Sequence, residues 1–152
     1  MGIVVVLICF LYFKRIYFTL FVLPFKWHYP YLLMNSEDIR FYCIQKKAAE
    51  ESLPFDDSTL VFKVGGKIFL LLSLSSSPVQ FNVKSDPEKA IELREKYSYV
   101  IPGYHMSKKH WNTIICDGSA KQSFIKEWID DSYNLVYSGL SKKLKAEISE
   151  IE

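Results

Sequence analysis

Residues 60–72 read LVFKVGGKIFLLL, and the fold depends on how they are taken. Two runs rich in β-formers, 60–64 and 67–72, flank Gly65-Gly66. Glycine reaches positive φ without steric cost, so the pair suits the type I′ turn of a two-residue hairpin. That turn sets a register. Val64 falls opposite Lys67, Phe62 opposite Phe69 and Leu60 opposite Leu71, with Lys63 beside Ile68 and Val61 beside Leu70 on the other side. Alternation is weak in the second run, which predicts cover over parts of both faces.

Working outward, 73–78 is a short serine-rich loop. Val79, Phe81 and Val83 then alternate with Gln80, Asn82 and Lys84, the pattern of a half-buried third strand. Asp86-Pro87 supplies an N-cap and a first helical residue for a helix with a buried stripe of Ala90, Ile91, Leu93 and Tyr97. Glu88, Lys89, Glu92, Glu95 and Lys96 form its solvated face. Residues 100–103 lead into a further alternating run, with Trp111, Thr113 and Ile115 on one side and His110, Asn112 and Ile114 on the other. Ser119 and Gln122 fit a capping box. The helix after them carries Phe124, Ile125, Trp128, Ile129, Leu135 and Val136 inward and stops at Gly139. Leu140, Leu144 and Ile148 mark an amphipathic tail helix.

Toward the N-terminus, Ile39, Tyr42, Cys43 and the stem of Lys46 recur at helical spacing over 36–49, after the helix-start signature Asn35-Ser36-Glu37-Asp38. Pro54 holds Leu53 extended and ends that element. The order is helix, three strands, helix, two strands, helix. Strands this close in sequence pair antiparallel, because parallel neighbours need long crossovers. The expected fold is α+β, with two layers and a largely antiparallel five-stranded sheet carrying helices on one face.

Residues 1–33 form a separate hydrophobic extension before a domain at 34–152. Its two apolar runs are divided by Lys14-Arg15, and each is shorter than the ~20 residues a spanning helix needs. Joined, they would place two charges at mid-membrane, at about 2.5–3.5 kcal/mol each. Three readings stay open for this segment: upstream sequence translated in error with Met34 as the start, a membrane-associating anchor, or an extra helix on the domain. Membrane contact is expected only if the segment is expressed.

Residues 1–33 hold three basic residues and no acid, while 34–152 carry 16 basic and 17 acidic ones. A phosphate-binding domain is more often basic overall. A nucleic-acid role must therefore rest on a local patch. Cys9, Cys43 and Cys116 are far apart and form no CxxC, so they read as reduced thiols in a cytoplasmic protein. No metal site or cofactor is expected, since His105 and His110 lack nearby thiols or carboxylates.

The stretch least explained by core packing is PGYHMSKKHWNT at 102–113. Lys63 and Lys67 beside the hairpin turn, Lys84, His105, Lys108, Lys109 and His110 could make one basic surface. Lysines position phosphates, while Tyr104, Trp111 and Asn112 could stack on bases or bond to them. The plainer reading has the lysines guarding a strand edge, Asn112 satisfying backbone groups, and Trp111 anchoring the stretch to the sheet. Gly65, Gly66, Pro102, Gly103 and Trp111 are assigned structural roles. No catalytic residue is assigned: His105 and His110 have no orienting carboxylate, Cys116 ends an apolar run, and Gly65-Gly66 lacks the spacing of a phosphate loop.

Five blocks carry a resemblance: LVFKVGGKIF (60–69), FNVKSDPEKAIELREKY (81–97), PGYHMSKKHWNT (102–113), WIDDSYNLV (128–136) and LSKKLKAEI (140–148). Together they resemble the MmcQ/YjbR family across about residues 36–148, with Ser141 where many members have proline. The resemblance implies an α-β₃-α-β₂-α "double wing" domain of the DNA-binding-like class, similar in fold to frataxin/CyaY and to secretion chaperones. Two functions follow as expectations: DNA binding through the lysine/histidine patch, or a protein-interaction or chaperone-like module. The second would offer its sheet surface or a strand edge to a partner or a second copy.

Overall fold

The computed structural model describes residues 33–151, so the expectations for 1–33 lie outside the described residues, apart from Leu33. In chain order the elements are α1 (Ser36–Ile44), β1 (Ala49–Ser52), β2 (Thr59–Val64), β3 (Lys67–Ser73), β4 (Val79–Lys84), α2 (Pro87–Lys96), β5 (Val100–Pro102), β6 (Trp111–Cys116), α3 (Gln122–Ser138) and α4 (Lys142–Ser149). The sheet runs β1-β2-β3-β4-β6-β5, and every neighbouring pair is antiparallel. The α+β class holds, with helices layered on one face of the sheet.

That sheet has six strands, one more than the sequence suggested. The extra one is β1, read above as the end of the first helix. Asn35 caps α1, its side chain accepting from the Asp38 amide while Asp38 accepts from the Asn35 amide. The helix ends at Ile44, and Ala48 takes a left-handed φ of 53° that turns the chain back along β2. Arg40 then donates twice to Glu51, at 2.8 and 2.5 Å, tying α1 to the new edge strand.

The hairpin forms as read, with Gly65 at φ 54° and Gly66 at φ 74°. Gly65 is doubly constrained, because a Cβ there would meet Leu140 Cδ1 at 2.8 Å. The register differs beyond the second pair. Val64 faces Lys67 and Lys63 faces Ile68, but Phe62 then faces Leu70, Val61 faces Leu71 and Leu60 faces Leu72. Phe69 is the extra residue of a β-bulge, which lets Phe69 and Leu70 both enter the core against the helices. Ser132 of α3 closes the irregular ladder: fully buried, it donates to the Phe69 carbonyl at 2.5 Å and accepts from the Lys84 amide at 2.8 Å.

One core joins the layers. Phe62, Phe69, Phe81 and Ile114 from the strands meet Ile39 and Cys43 of α1, Leu93 of α2, Trp128 and Ile129 of α3, and Ile148 of α4. The expected stripe on α2 loses Ile91, which is 54% exposed, and the stripe on α3 loses Leu135. Asp86 caps α2 as expected, accepting from the Glu88 amide. Ser119 does not cap α3. Its amide is taken by Asp117 at 2.9 Å in a local turn, so α3 starts at Gln122 after an uncapped Lys121. Asp130 and Asp131 tie α3 to its neighbours: Asp130 accepts from Tyr42 and pairs with Lys46, and Asp131 pairs with Lys89 at 2.6 Å.

Candidate nucleic-acid interface

Register decides which side chains share a face. In β4 and β6, Phe81 pairs with Ile114 and Val83 with Asn112, and all four point toward the helices, where they are fully buried. The residues between them must therefore face away. Lys84 pairs with Trp111, and Asn82 with Thr113, on the side of the sheet that carries no helix among the described residues, called the helix-free side below. In the hairpin, Val64 belongs to the core, so its partner Lys67 lies on the helix side. Lys63, paired with Ile68, lies on the helix-free side.

One end of the sheet thus carries a row across four strands: Lys63 on β2, Ile68 on β3, Lys84 on β4 and Trp111 on β6. Glu50 of β1, opposite Lys63, is the acid at the end of that row. The 103–110 loop leaves the same end, since β5 finishes there and β6 begins there. It presents Tyr104, 76% exposed, with exposed His105, Lys108 and Lys109 and half-buried His110. The Tyr104 and His105 rings touch, with centroids 4.0 Å apart, and His105 has a left-handed φ of 53°. Among the described residues, no acid pairs with Lys63, Lys84, Lys108 or Lys109.

The loop is held from below. Asn112, fully buried, accepts from Arg94 Nε at 2.6 Å and donates to the Ala90 carbonyl at 3.2 Å. Arg94 Nη2 also donates to the carbonyls of Lys108 and Trp111, the latter at 3.1 Å. One guanidinium fork on α2 therefore fixes both ends of the basic segment. Gly103 completes the closure. Its amide donates to the Trp111 carbonyl at 2.8 Å, and a Cβ on Gly103 would sit 2.9 Å from Trp111 Cβ. Pro102 pairs with Asn112 on the outermost strand, where a missing amide is tolerated.

The structure divides the candidate residues. Lys63, Lys84, Tyr104, His105, Lys108, Lys109, His110 and Trp111 come together at one end. Lys67 does not join them: its ammonium donates to the Gly139 carbonyl at 3.2 Å, at the far end of α3. Asn112 does not either, because both ends of its side chain are spent inside. Trp111 is half-buried on the helix-free face and lies outside the core, so it is part of the surface and more than an anchor. Arg94 was missed. It follows Leu93 and stands one turn beyond Ala90, at the border of the buried stripe, where a long cationic side chain can turn inward.

The cysteines sit elsewhere. Burial pushes the Cys43 thiol up to about 12 and that of Cys116 up to about 11, so both are protonated at neutral pH. No described helix is long and apolar enough to cross a membrane.

Comparison with known proteins places the chain. Residues 44–135 match the YjbR family model. The uncharacterised protein YbdF of Escherichia coli O157:H7 is 41% identical over 90 residues, covering 59% of this chain and 74% of that protein. The uncharacterised protein YjbR of E. coli K12 is 33% identical over 100 residues, covering 66% and 85%. In three dimensions the crystal structure of the Deinococcus radiodurans protein DR2400 superposes with a TM-score of 0.73 at 35% identity, covering 77% of this chain and 89% of that one. A Pseudomonas syringae protein gives a TM-score of 0.60 at 26% identity, covering 68% and 99%. The chain belongs to the YjbR family.

Proposed function

We propose that the protein binds DNA, without catalysis, through the basic end of its helix-free sheet face. The observation that carries this reading is the grouping of four lysines, none paired with an acid among the described residues, with an exposed tyrosine and a half-buried tryptophan. Lysine ammonium groups contact phosphates as point charges and release condensed counterions. Aromatic rings beside them add affinity that needs no particular sequence. The Arg94 fork holds the loop before any ligand arrives, which limits the ordering cost of binding.

The test is a salt titration of DNA affinity with the full chain. With about four phosphate contacts, log K is expected to fall against log salt with a slope of roughly −3 to −4. Replacing Lys108→Glu with Lys109→Glu should weaken binding and flatten that slope. Lys142→Glu with Lys143→Glu makes the same charge change on α4 and should do neither. Equal effects from the two pairs would refute the assignment.

A second reading has one supporting observation. Ile68, Ile115 and Ile101, the last 40% exposed, place apolar side chains on the same helix-free face, as a protein-interaction module would. A stable homodimer in light scattering, with no DNA retained at low salt, would favour that reading over the first.

A further inference from the structure

We infer that the DNA taken by this face is single-stranded, with bases stacked on Tyr104 and Trp111. The inference rests on the DNA-binding reading above and adds the form of the nucleic acid. A duplex is read by a helix or a two-stranded ribbon entering a groove, with side chains that reach base edges. The β2–β3 ribbon ends in Gly65-Gly66, which have no side chains. Gly65 is packed under Leu140 and Lys67 is turned back to the Gly139 carbonyl, so the ribbon tip offers nothing to a groove. The outer face of α2 carries Glu88, Glu92 and Glu95, all exposed, which a phosphate backbone would repel.

The sheet end has the opposite character. Lys63, Ile68, Lys84 and Trp111 lie across four neighbouring strands about 4.8 Å apart, at the half-buried end of a face whose middle, at Val61, Leu71 and Thr113, is buried. Tyr104 follows Gly103, whose amide is bonded to Trp111. The two rings therefore flank one strand junction, with Lys108 and Lys109 on the loop beside them. Unpaired bases can lie on such rings while the lysines follow the backbone.

The test uses the full chain with a mixed-sequence deoxyribonucleotide strand, its duplex, and the ribonucleotide strand of the same sequence, at one salt concentration. The single DNA strand is expected to bind about tenfold or more tighter than the duplex. Tyr104→Ala should weaken it by about tenfold, the effect of losing one stacked base, without changing the salt slope. Binding should quench tryptophan fluorescence, and Trp111→Phe should remove that quench; a quench of the same size in Trp111→Phe would overturn stacking on Trp111. Equal or tighter duplex binding would overturn the single-strand inference and leave DNA binding standing. Tighter RNA binding would overturn the choice of DNA, and an unchanged affinity in Tyr104→Ala would overturn stacking. If none of the three is retained, both readings fall.

Discussion

Arg94→Ala is the most informative single change the structure offers. Three hydrogen bonds leave with the guanidinium, and they are not equal. The carbonyls of Lys108 and Trp111 lie near the surface, where water can replace the lost donor, so each is expected to matter by about 0.5–1.5 kcal/mol or less. The Asn112 oxygen is different. Its side chain has no exposure, and losing Arg94 Nε strands a buried acceptor at about 1–3 kcal/mol. The sum is a destabilisation of roughly 2–4 kcal/mol, large against a typical domain stability of about 5–15 kcal/mol. Urea unfolding should show a lower midpoint at constant slope. Arg94→Lys should recover only part, since a single ammonium cannot reach two carbonyls and an amide oxygen at once. A double-mutant cycle with Asn112→Ala isolates the pair, with a coupling of about 1–2 kcal/mol expected. A loss below about 1 kcal/mol, or additivity within about 0.5 kcal/mol, would refute the argument that this fork holds the loop.

Three further outcomes follow from the same geometry. Ser132→Ala leaves both the Phe69 carbonyl and the Lys84 amide without their buried partner and should cost about 2–4 kcal/mol in urea unfolding; a loss under 1 kcal/mol would mean the strands re-pair without it. Native-state alkylation at pH 8 followed by peptide mass analysis should leave Cys43 and Cys116 unmodified, since burial raises both thiols well above that pH; rapid labelling of either would contradict its place in the core. Finally, the Arg40 hydrogen bond lowers the Glu51 carboxyl below its ordinary value. The stability it adds is present above the unfolded value of about 4.3 and is lost as pH falls through the folded value. Glu51→Gln should therefore flatten the acid limb of a stability–pH curve, and an unchanged limb would show that β1 does not depend on that contact.

The hairpin was legible because Gly65-Gly66 admits few alternatives between two β-rich runs. The bulge was not. In IFLLL every residue is apolar, so period-two alternation has nothing with which to locate an added residue, and only the helices above decide that Phe69 and Leu70 both turn inward. β1 was hidden for a different reason. AEES has no β-branched or aromatic residue, and its strand state comes from pairing with β2 and from Arg40, contacts distant in sequence. At the site, the residue types and part of their facing are readable in the sequence. The predicted hairpin register already put Lys63 and Lys67 on opposite faces, and alternation already grouped Asn112 with Ile114. What no pattern could supply was Arg94 as the buried partner that makes Asn112 a brace.

Charge segregation explains how a domain with near-zero net charge can present a surface for a polyanion. In the helix layer, cations and acids are spent on each other: Lys46 with Asp130, Lys89 with Asp131, and Lys143 with Glu147, while Arg40 is spent on Glu51 at the sheet edge. At the sheet end, Lys63, Lys84, Lys108 and Lys109 pair with no acid among the described residues. Screening at physiological salt has a range of about 8 Å, comparable with the ~10 Å spacing of packed layers. Acids on the outer face of α2 and α3 are therefore weakly felt beyond the sheet, where Glu50 is the acid nearest the row. A phosphate approaching this end meets the local lysines and hardly the remote carboxylates. For the proposed nucleic-acid partner, net charge is thus the wrong guide. The register that separates Lys63 and Lys84 from the acidic helix layer is the better one, because it determines which charges a ligand can meet together.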